Sequence, residues 1–147
     1  MKKKTLLLTG TTGFVGSKFL LFALSNDFLV IDILRAKNRN NKTIKQLRNF
    51  YPTKYKNIFF SNNRELSRKL KKIRADYFIN FATLYNNRHT HNQISDFINS
   101  NILFPTLIYD IISIKTKKMI NFGSMMQHSN NEKLISKNLY AATKNAF

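Results

Sequence analysis

The chain has 147 residues, 43% of them hydrophobic, which suits a single globular domain with its own core and excludes a disordered chain. It has no cysteine, so disulfide frameworks and thiolate metal sites are excluded, a composition compatible with a cytoplasmic location. Lysine and arginine outnumber the acidic residues 25 to 7, giving a net charge of +18, but the basic residues are scattered (Lys2 to Lys4, Lys37 to Lys45, Lys54, Arg64 to Arg74, Lys115 to Lys118) and form no basic helix with a clean face, so nucleic acid is not the expected partner.

Met1-Lys2-Lys3-Lys4 and the leucines after it imitate a secretory signal, but the apolar run is too short and Gly10 breaks it. No stretch approaches the length of a membrane span, and no membrane partner is expected. The first strand is read over Lys4 to Thr9. A helix follows over Gly13 to Ser25, with Phe14, Phe19, Leu20, Leu21 and Leu24 at helical spacing. Phe28 to Leu34 is an apolar run of strand length, as in a sheet covered on both faces. A polar connection over Arg35 to Lys42 leads to a short helix, Thr43 to Tyr51, that stops before Pro52. Asn57 to Phe60 is a third strand, Arg64 to Arg74 a basic helix and Tyr77 to Ala82 a fourth strand. A long helix over Gln93 to Ile114 is expected to bend near Pro105. Lys118 to Phe122 is a fifth strand, and a last helix begins near Lys137. Strands alternating with helices predict an α/β fold, a Rossmann-type doubly wound parallel sheet over residues 1–147, with its ligand at the carboxyl ends of the strands.

Gly10, Gly13 and Gly16 lie three apart between a strand and a helix, and they are three of only four glycines. Glycine there permits a tight turn and lets main-chain N–H groups approach a pyrophosphate at the positive end of the helix. No Gly-Lys-Ser/Thr follows, so this is not a nucleoside-triphosphate loop. An acidic residue ending strand two would bond the adenosine ribose hydroxyls and favour NAD. Asp32 is the only candidate, and it lies inside the apolar run. Arg35, with Lys37 and Arg39 nearby, suits a 2′-phosphate instead, so NADP is favoured over NAD.

Tyr140 and Lys144 are four apart on the last helix, hence on one face. A lysine cation stabilises a neighbouring phenolate and can also bond the nicotinamide ribose. Ser124, at the end of strand five, would hydrogen-bond the substrate oxygen while Tyr140 moves the proton. His89 and His91 form a His-x-His with no third ligand, and no metal site is expected.

Thr9-Gly10-Thr11-Thr12-Gly13-Phe14-Val15-Gly16 resembles the extended branch of the short-chain dehydrogenases, the nucleotide-sugar epimerases, dehydratases and reductases. The resemblance runs along essentially the whole chain. Asn80 to Tyr85, with Phe81, Ala82 and Thr83, matches the segment that lines the cofactor in that family. Asn101 matches its helix asparagine, which is expected to fix helix geometry. Asn121-Phe122-Gly123-Ser124 matches the strand-five end with the catalytic serine, and Tyr140 and Lys144 match the catalytic pair. The resemblance thus implies a nucleotide-linked sugar as substrate, hydride transfer, and cofactor contacts from Gly10, Thr12, Gly13, Phe14, Val15, Gly16, Asp32, Arg35, Tyr140 and Lys144. It leaves a homodimer open for the full-length enzyme. Pro105 and the short loop between Ser124 and Tyr140 most resemble reductases that make CDP-linked 3,6-dideoxyhexoses.

There are departures. Counting from Gly16, Leu34 occupies the family's acidic position. Gly123 stands where a serine is common, and His128 where a tyrosine is common. Met125-Met126 replace the Asp-Glu of the 4,6-dehydratases, which leaves reduction or epimerisation. The family's substrate-binding part follows the catalytic lysine, so the chain is expected to be a fragment or a truncated product that by itself binds cofactor weakly.

Overall fold

A computed structural model describes residues 3–86, 88–128 and 136–147; the signal-like Met1-Lys2 and the middle of the loop between Ser124 and Tyr140 lie outside the described residues. The strands are β1 (Thr5–Thr9), β2 (Leu29–Arg35), β3 (Tyr55–Phe60), β4 (Tyr77–Asn80) and β5 (Lys118–Asn121). They form one sheet in the order β3-β2-β1-β4-β5, and every pairing is parallel. The helices are α1 (Phe14–Ser25), α2 (Lys42–Phe50), α3 (Asn63–Leu70), α4 (Ile94–Ile98), α5 (Phe104–Ile112) and α6 (Leu139–Asn145). This is the doubly wound Rossmann-like arrangement expected from the alternating pattern.

Strand alternation sorts the core into two layers. Leu6, Leu8, Val30 and Leu34 pack with Leu20, Ala23 and Leu24 of α1 and Ile44 of α2. Leu7 and Ile33 pack on the other face with Leu66 and Leu70 of α3 and Phe104, Ile108 and Ile112 of α5. A fully buried leucine such as Leu7 contributes roughly 1.5–3 kcal/mol relative to an exposed one. Consecutive residues of β1 thus serve opposite layers, which is why its run is continuously apolar.

Several boundaries differ from the sequence reading. α1 buries Gly16, Leu20, Ala23 and Leu24, whereas Phe14 is 81% exposed and Leu21 is also exposed, so the apolar face is narrower than the spacing predicted. β3 begins at Tyr55 because the Tyr55 ring is buried and the Lys54 carbonyl already accepts from Val30. β4 stops at Asn80, where the main chain of Phe81 and Ala82 passes over Gly10. α3 ends at Leu70, short of the predicted Arg74.

The long helix runs without interruption from His91 to Lys115 as a 25-residue stretch, and by length and composition it is apolar enough to cross a bilayer, contrary to the sequence reading. Its Phe97, Phe104, Ile108 and Ile112 are instead buried in the molecule. Where a bend was expected near Pro105, the helix carries a π-helical turn over Asn99–Leu103. Proline has no N–H for the carbonyl four residues earlier, so the widened turn sits immediately before it.

Candidate active site

A cleft of about 720 Å³ opens where the chain reverses direction across the sheet, between the loop after β1 and the segment after β4. Gly10, Thr12, Gly13, Phe14, Val15 and Gly16 form one wall, and Phe81, Ala82 and Thr83 the opposite one. Leu34, Arg35 and Lys37 close the end nearest β2.

The glycine loop is built for close backbone contact. Gly10 has φ +70°, and a Cβ there would overlap the main chain of Phe81 and Ala82. A Cβ on Gly16 would overlap the Gly10 carbonyl oxygen. Gly13 has ordinary φ, and its Cβ would meet only the Gly10 oxygen at 3.3 Å. No side chain caps α1. Helix geometry leaves the N–H groups of Phe14, Val15 and Gly16 without intrahelical acceptors, a ready anion site at the cleft wall. A dinucleotide pyrophosphate fits this cradle.

Beneath the cleft a polar ladder joins the ends of three strands. Thr9, Asn80 and Asn121 are register partners. The Thr9 hydroxyl donates to Asn80 Oδ1, and Asn80 Nδ2 donates to Asn121 Oδ1 at 2.9 Å. These bonds fix the level at which the chain leaves β1, β4 and β5.

Asn101, 4% exposed, lies in the π turn and carries more connections than any other residue near the cleft. Its Oδ1 accepts from Leu84 N at 2.7 Å and from Thr83 Oγ1 at 3.2 Å. Its Nδ2 donates to the Leu84 carbonyl and to Thr143 Oγ1, each at 3.0 Å. One side chain therefore couples the cleft wall to α6, and Asn101, a candidate cofactor contact in the sequence, does not itself line the cleft.

None of the three predicted catalytic residues lines the cleft. Tyr140 is 9% exposed and packs edge-on against Tyr85, a cleft residue, with ring centroids 5.0 Å apart. Lys144 is 7% exposed, and burial holds its ammonium below the ordinary lysine range. Ser124 opens a turn over Met125–Gln127, where its Oγ accepts from Met126 N at 3.2 Å. Gln127 accepts from Ser124 N and donates to Asn145 Oδ1, each at 2.6 Å, which ties the end of β5 to α6. Gln127 was not among the sequence candidates, and Tyr85 entered only as the last residue of the Asn80 to Tyr85 segment. Tyr85 continues the family-like segment after β4, whereas nothing in the spacing marks Gln127.

Asp32 requires a correction. It is fully buried in the middle of β2 and does not line the cleft. Its Oδ2 accepts from Thr11 Oγ1 at 2.7 Å and from Tyr55 OH at 2.6 Å, while Oδ1 has no partner among the described residues. Burial raises its carboxyl to about 6, against the opposing effect of those two bonds. Arg39 is likewise turned away, its guanidinium 5.5 Å from the Phe59 ring centroid. Arg35 remains in the cleft, with Nη2 3.3 Å from Ser100 Oγ.

The Asp32 environment gives a pH prediction. Its folded pKa lies above the ordinary 3.8, so the ionised form is penalised in the fold. The penalty is absent below about pH 4, grows through the window up to about 6, and is then constant at about 3 kcal/mol. Asp32→Asn keeps an acceptor for Thr11 and Tyr55, and it is expected to raise the melting temperature at neutral pH and lose that gain at about pH 4. Thermal melts of both proteins across this range check it; a gain independent of pH would assign the effect to packing. Asp27, Glu65 and Asp76, whose carboxyls are lowered by lysine partners, act oppositely and are common to both proteins.

The sequence pattern of the NAD dependent epimerase/dehydratase family matches residues 6–147. The chain belongs to this family. Solved structures similar to it are short-chain dehydrogenases. A bulky-bulky ketone specific alcohol dehydrogenase from Comamonas testosteroni is 17% identical with a TM-score of 0.80, over 99% of this chain and 64% of the other. A protein of Burkholderia multivorans assigned as a short-chain dehydrogenase/reductase, with bound NADP, is 18% identical with a TM-score of 0.80, over 99% and 69%. A short-chain dehydrogenase from Streptomyces avermitilis is 17% identical with a TM-score of 0.78, and this chain spans 57% of its length. At these identities the likeness establishes the fold. No curated protein matches the chain.

Proposed function

We propose that the chain is the cofactor-binding part of an NADP-dependent oxidoreductase or epimerase acting on a nucleotide-linked sugar. The observation that carries the reading is the glycine cradle, in one chain with a helix α6 that buries Tyr140 and Lys144 and is tied by Thr143 and Asn101 to the cleft wall at Thr83 and Leu84. Family membership supports NAD(P) as the cofactor class.

The preference for NADP rests on which charges reach the cleft. Asp32 is fully buried against Thr11 and Tyr55 and does not line the cleft, so it is out of reach of ribose hydroxyls there. Arg35 and Lys37 line the cleft and suit a 2′-phosphate.

The nicotinamide supplies or takes the hydride when bound. Phe14, Val15 and Gly16 hold the pyrophosphate with main-chain N–H groups. Lys144, one helical turn after Tyr140 on α6 and with no carboxylate partner among the described residues, would bond the nicotinamide ribose. Tyr140 passes its proton to the substrate oxygen, or removes one in the reverse direction, and Ser124 orients that oxygen. Met125 and Met126 offer neither acid nor base, which favours reduction or epimerisation over dehydration.

Arg35→Ala tests the cofactor assignment. A charge-assisted bond to phosphate contributes about 1.5–3 kcal/mol, so NADPH affinity is expected to fall about 10- to 100-fold, with NADH affinity nearly unchanged. Equal losses for both cofactors in a calorimetric titration would sink the assignment.

A further inference from the structure

The outer edge of β3 carries a cavity that the cofactor cleft does not use. β3 is the edge strand at the end of the sheet opposite β5. A space of about 680 Å³ runs beside it, lined by Arg39, Arg48, Lys56, Lys69, Asn57 and Phe59 among others. Four cationic side chains from four separate elements therefore meet in one concavity, which no carboxylate lines, whereas the cluster of Lys3, Lys4, Arg74, Lys115 and Lys117 surrounds Asp76.

Of these cations, Lys69 is engaged: it pairs with Glu65 at 2.7 Å and donates to the Phe59 carbonyl at 2.6 Å. Arg39, Arg48 and Lys56 have no carboxylate partner among the described residues. Arg39 lies over the Phe59 ring, which fixes one face of its guanidinium. A second observation is independent of charge. Both polar side-chain atoms of Asn57 are buried beside this cavity, and their one polar neighbour is the Tyr55 hydroxyl, with which they make no bond of good geometry. Buried amides are almost always satisfied, so this one has hydrogen-bonding capacity to offer a ligand.

The edge is ill suited to receiving another strand. Lys69 blocks the Phe59 carbonyl, and a lysine at position 56 lies on the edge itself, both devices that blunt strand addition. The bonded Phe59 carbonyl also shows which main-chain groups face outward. In a parallel ladder alternate residues face one side, so the N–H groups of Asn57 and Phe59 point the same way. Donors predominate in the cavity: guanidinium, ammonium, amide and main-chain N–H.

We propose that this cavity binds a small phosphorylated anion of pyrophosphate to mononucleotide size, with Arg39, Arg48 and Lys56 meeting the phosphate and Asn57 completing its hydrogen bonds. The site is separate from the cofactor cleft at the carboxyl ends of β1 and β4, and it does not depend on the catalytic reading.

The test is titration of the protein with pyrophosphate and with AMP at physiological salt, followed by calorimetry and by the side-chain amide resonances of Asn57. Arg48→Ala/Lys56→Ala is compared with Arg35→Ala, and Lys56→Gln serves as a milder variant should the double variant melt early. The Asn57 resonances are expected to shift to saturation, and the edge variants to weaken the binding read at Asn57 about 10-fold or more, with Arg35→Ala changing the Asn57 titration by less than about twofold and weakening only anion held in the cofactor cleft. Unmoved Asn57 resonances would overturn the proposal. So would a loss of the Asn57 titration caused by Arg35→Ala, which would place the anion in the cofactor cleft. Displacement of pyrophosphate by a short DNA duplex bound more tightly through Arg48 and Lys56 would overturn it in favour of a nucleic-acid surface.

Discussion

Tyr140→Phe in the enzyme at its full natural length is expected to lower turnover by about 10²–10⁴-fold, the range for loss of a positioned general acid, while NADPH affinity stays within about twofold. The separation follows from where the residue sits. Tyr140 is buried against Tyr85 through its ring, and phenylalanine keeps that edge-on contact. Its hydroxyl makes no hydrogen bond to any other described residue, so its removal leaves no buried partner unsatisfied. A fall in kcat with unchanged cofactor binding and melting temperature assigns the hydroxyl to chemistry. Full turnover by the variant would contradict the role given to Tyr140 and assign the proton transfer to another group.

The second large effect concerns the fold of the cradle. Gly10→Ala is expected to destabilise the protein by about 2–5 kcal/mol. A left-handed backbone costs a side chain roughly 1–2 kcal/mol, and overpacking against main chain adds about 1–3. The clash here is with the Phe81–Ala82 peptide, which the Thr9–Asn80–Asn121 ladder holds in place and which cannot rotate away like a side chain. Gly16→Ala is expected to behave similarly, because its Cβ would meet the Gly10 oxygen. Gly13→Ala is the contrast: φ is ordinary and the nearest contact is 3.3 Å, so stability should change by less than about 1 kcal/mol. Chemical denaturation of the three variants checks the order. Equal losses at all three positions would contradict this reading of the loop.

The architecture is readable in the sequence because period and punctuation agree. β1 and β2 are apolar on both faces, Gly10 to Gly16 interrupts at the first strand-to-helix turn, and Pro105 marks the long helix. The glycine loop, Arg35 and the segment after Asn80 were identifiable for the same reason, since each sits at a strand end where only a few residue types permit close approach. Inward-facing polar residues were harder to place. Asp32 occupies one position in an apolar run, and only the packing of Thr11 and Tyr55 around it shows that it is consumed within the sheet. Phe14 has helical spacing yet faces the cleft, because it lies on the first turn, ahead of the layer that α1 buries. Gln127 connects Ser124 to Asn145 across a loop, a long-range relation that local pattern does not encode. The cationic cavity at β3 is of the same kind: its charges come from distant segments and read as scattered until the sheet brings them together.

The most direct test of the central claim is calorimetric titration of the protein, in its full natural length, with NADPH and NADH under the same conditions. NADPH is expected to bind at least about tenfold tighter than NADH, since Arg35 and Lys37 line the cleft, where their charges suit a 2′-phosphate, and Asp32 is buried away from it. A well-folded protein that binds neither cofactor would contradict the oxidoreductase assignment itself.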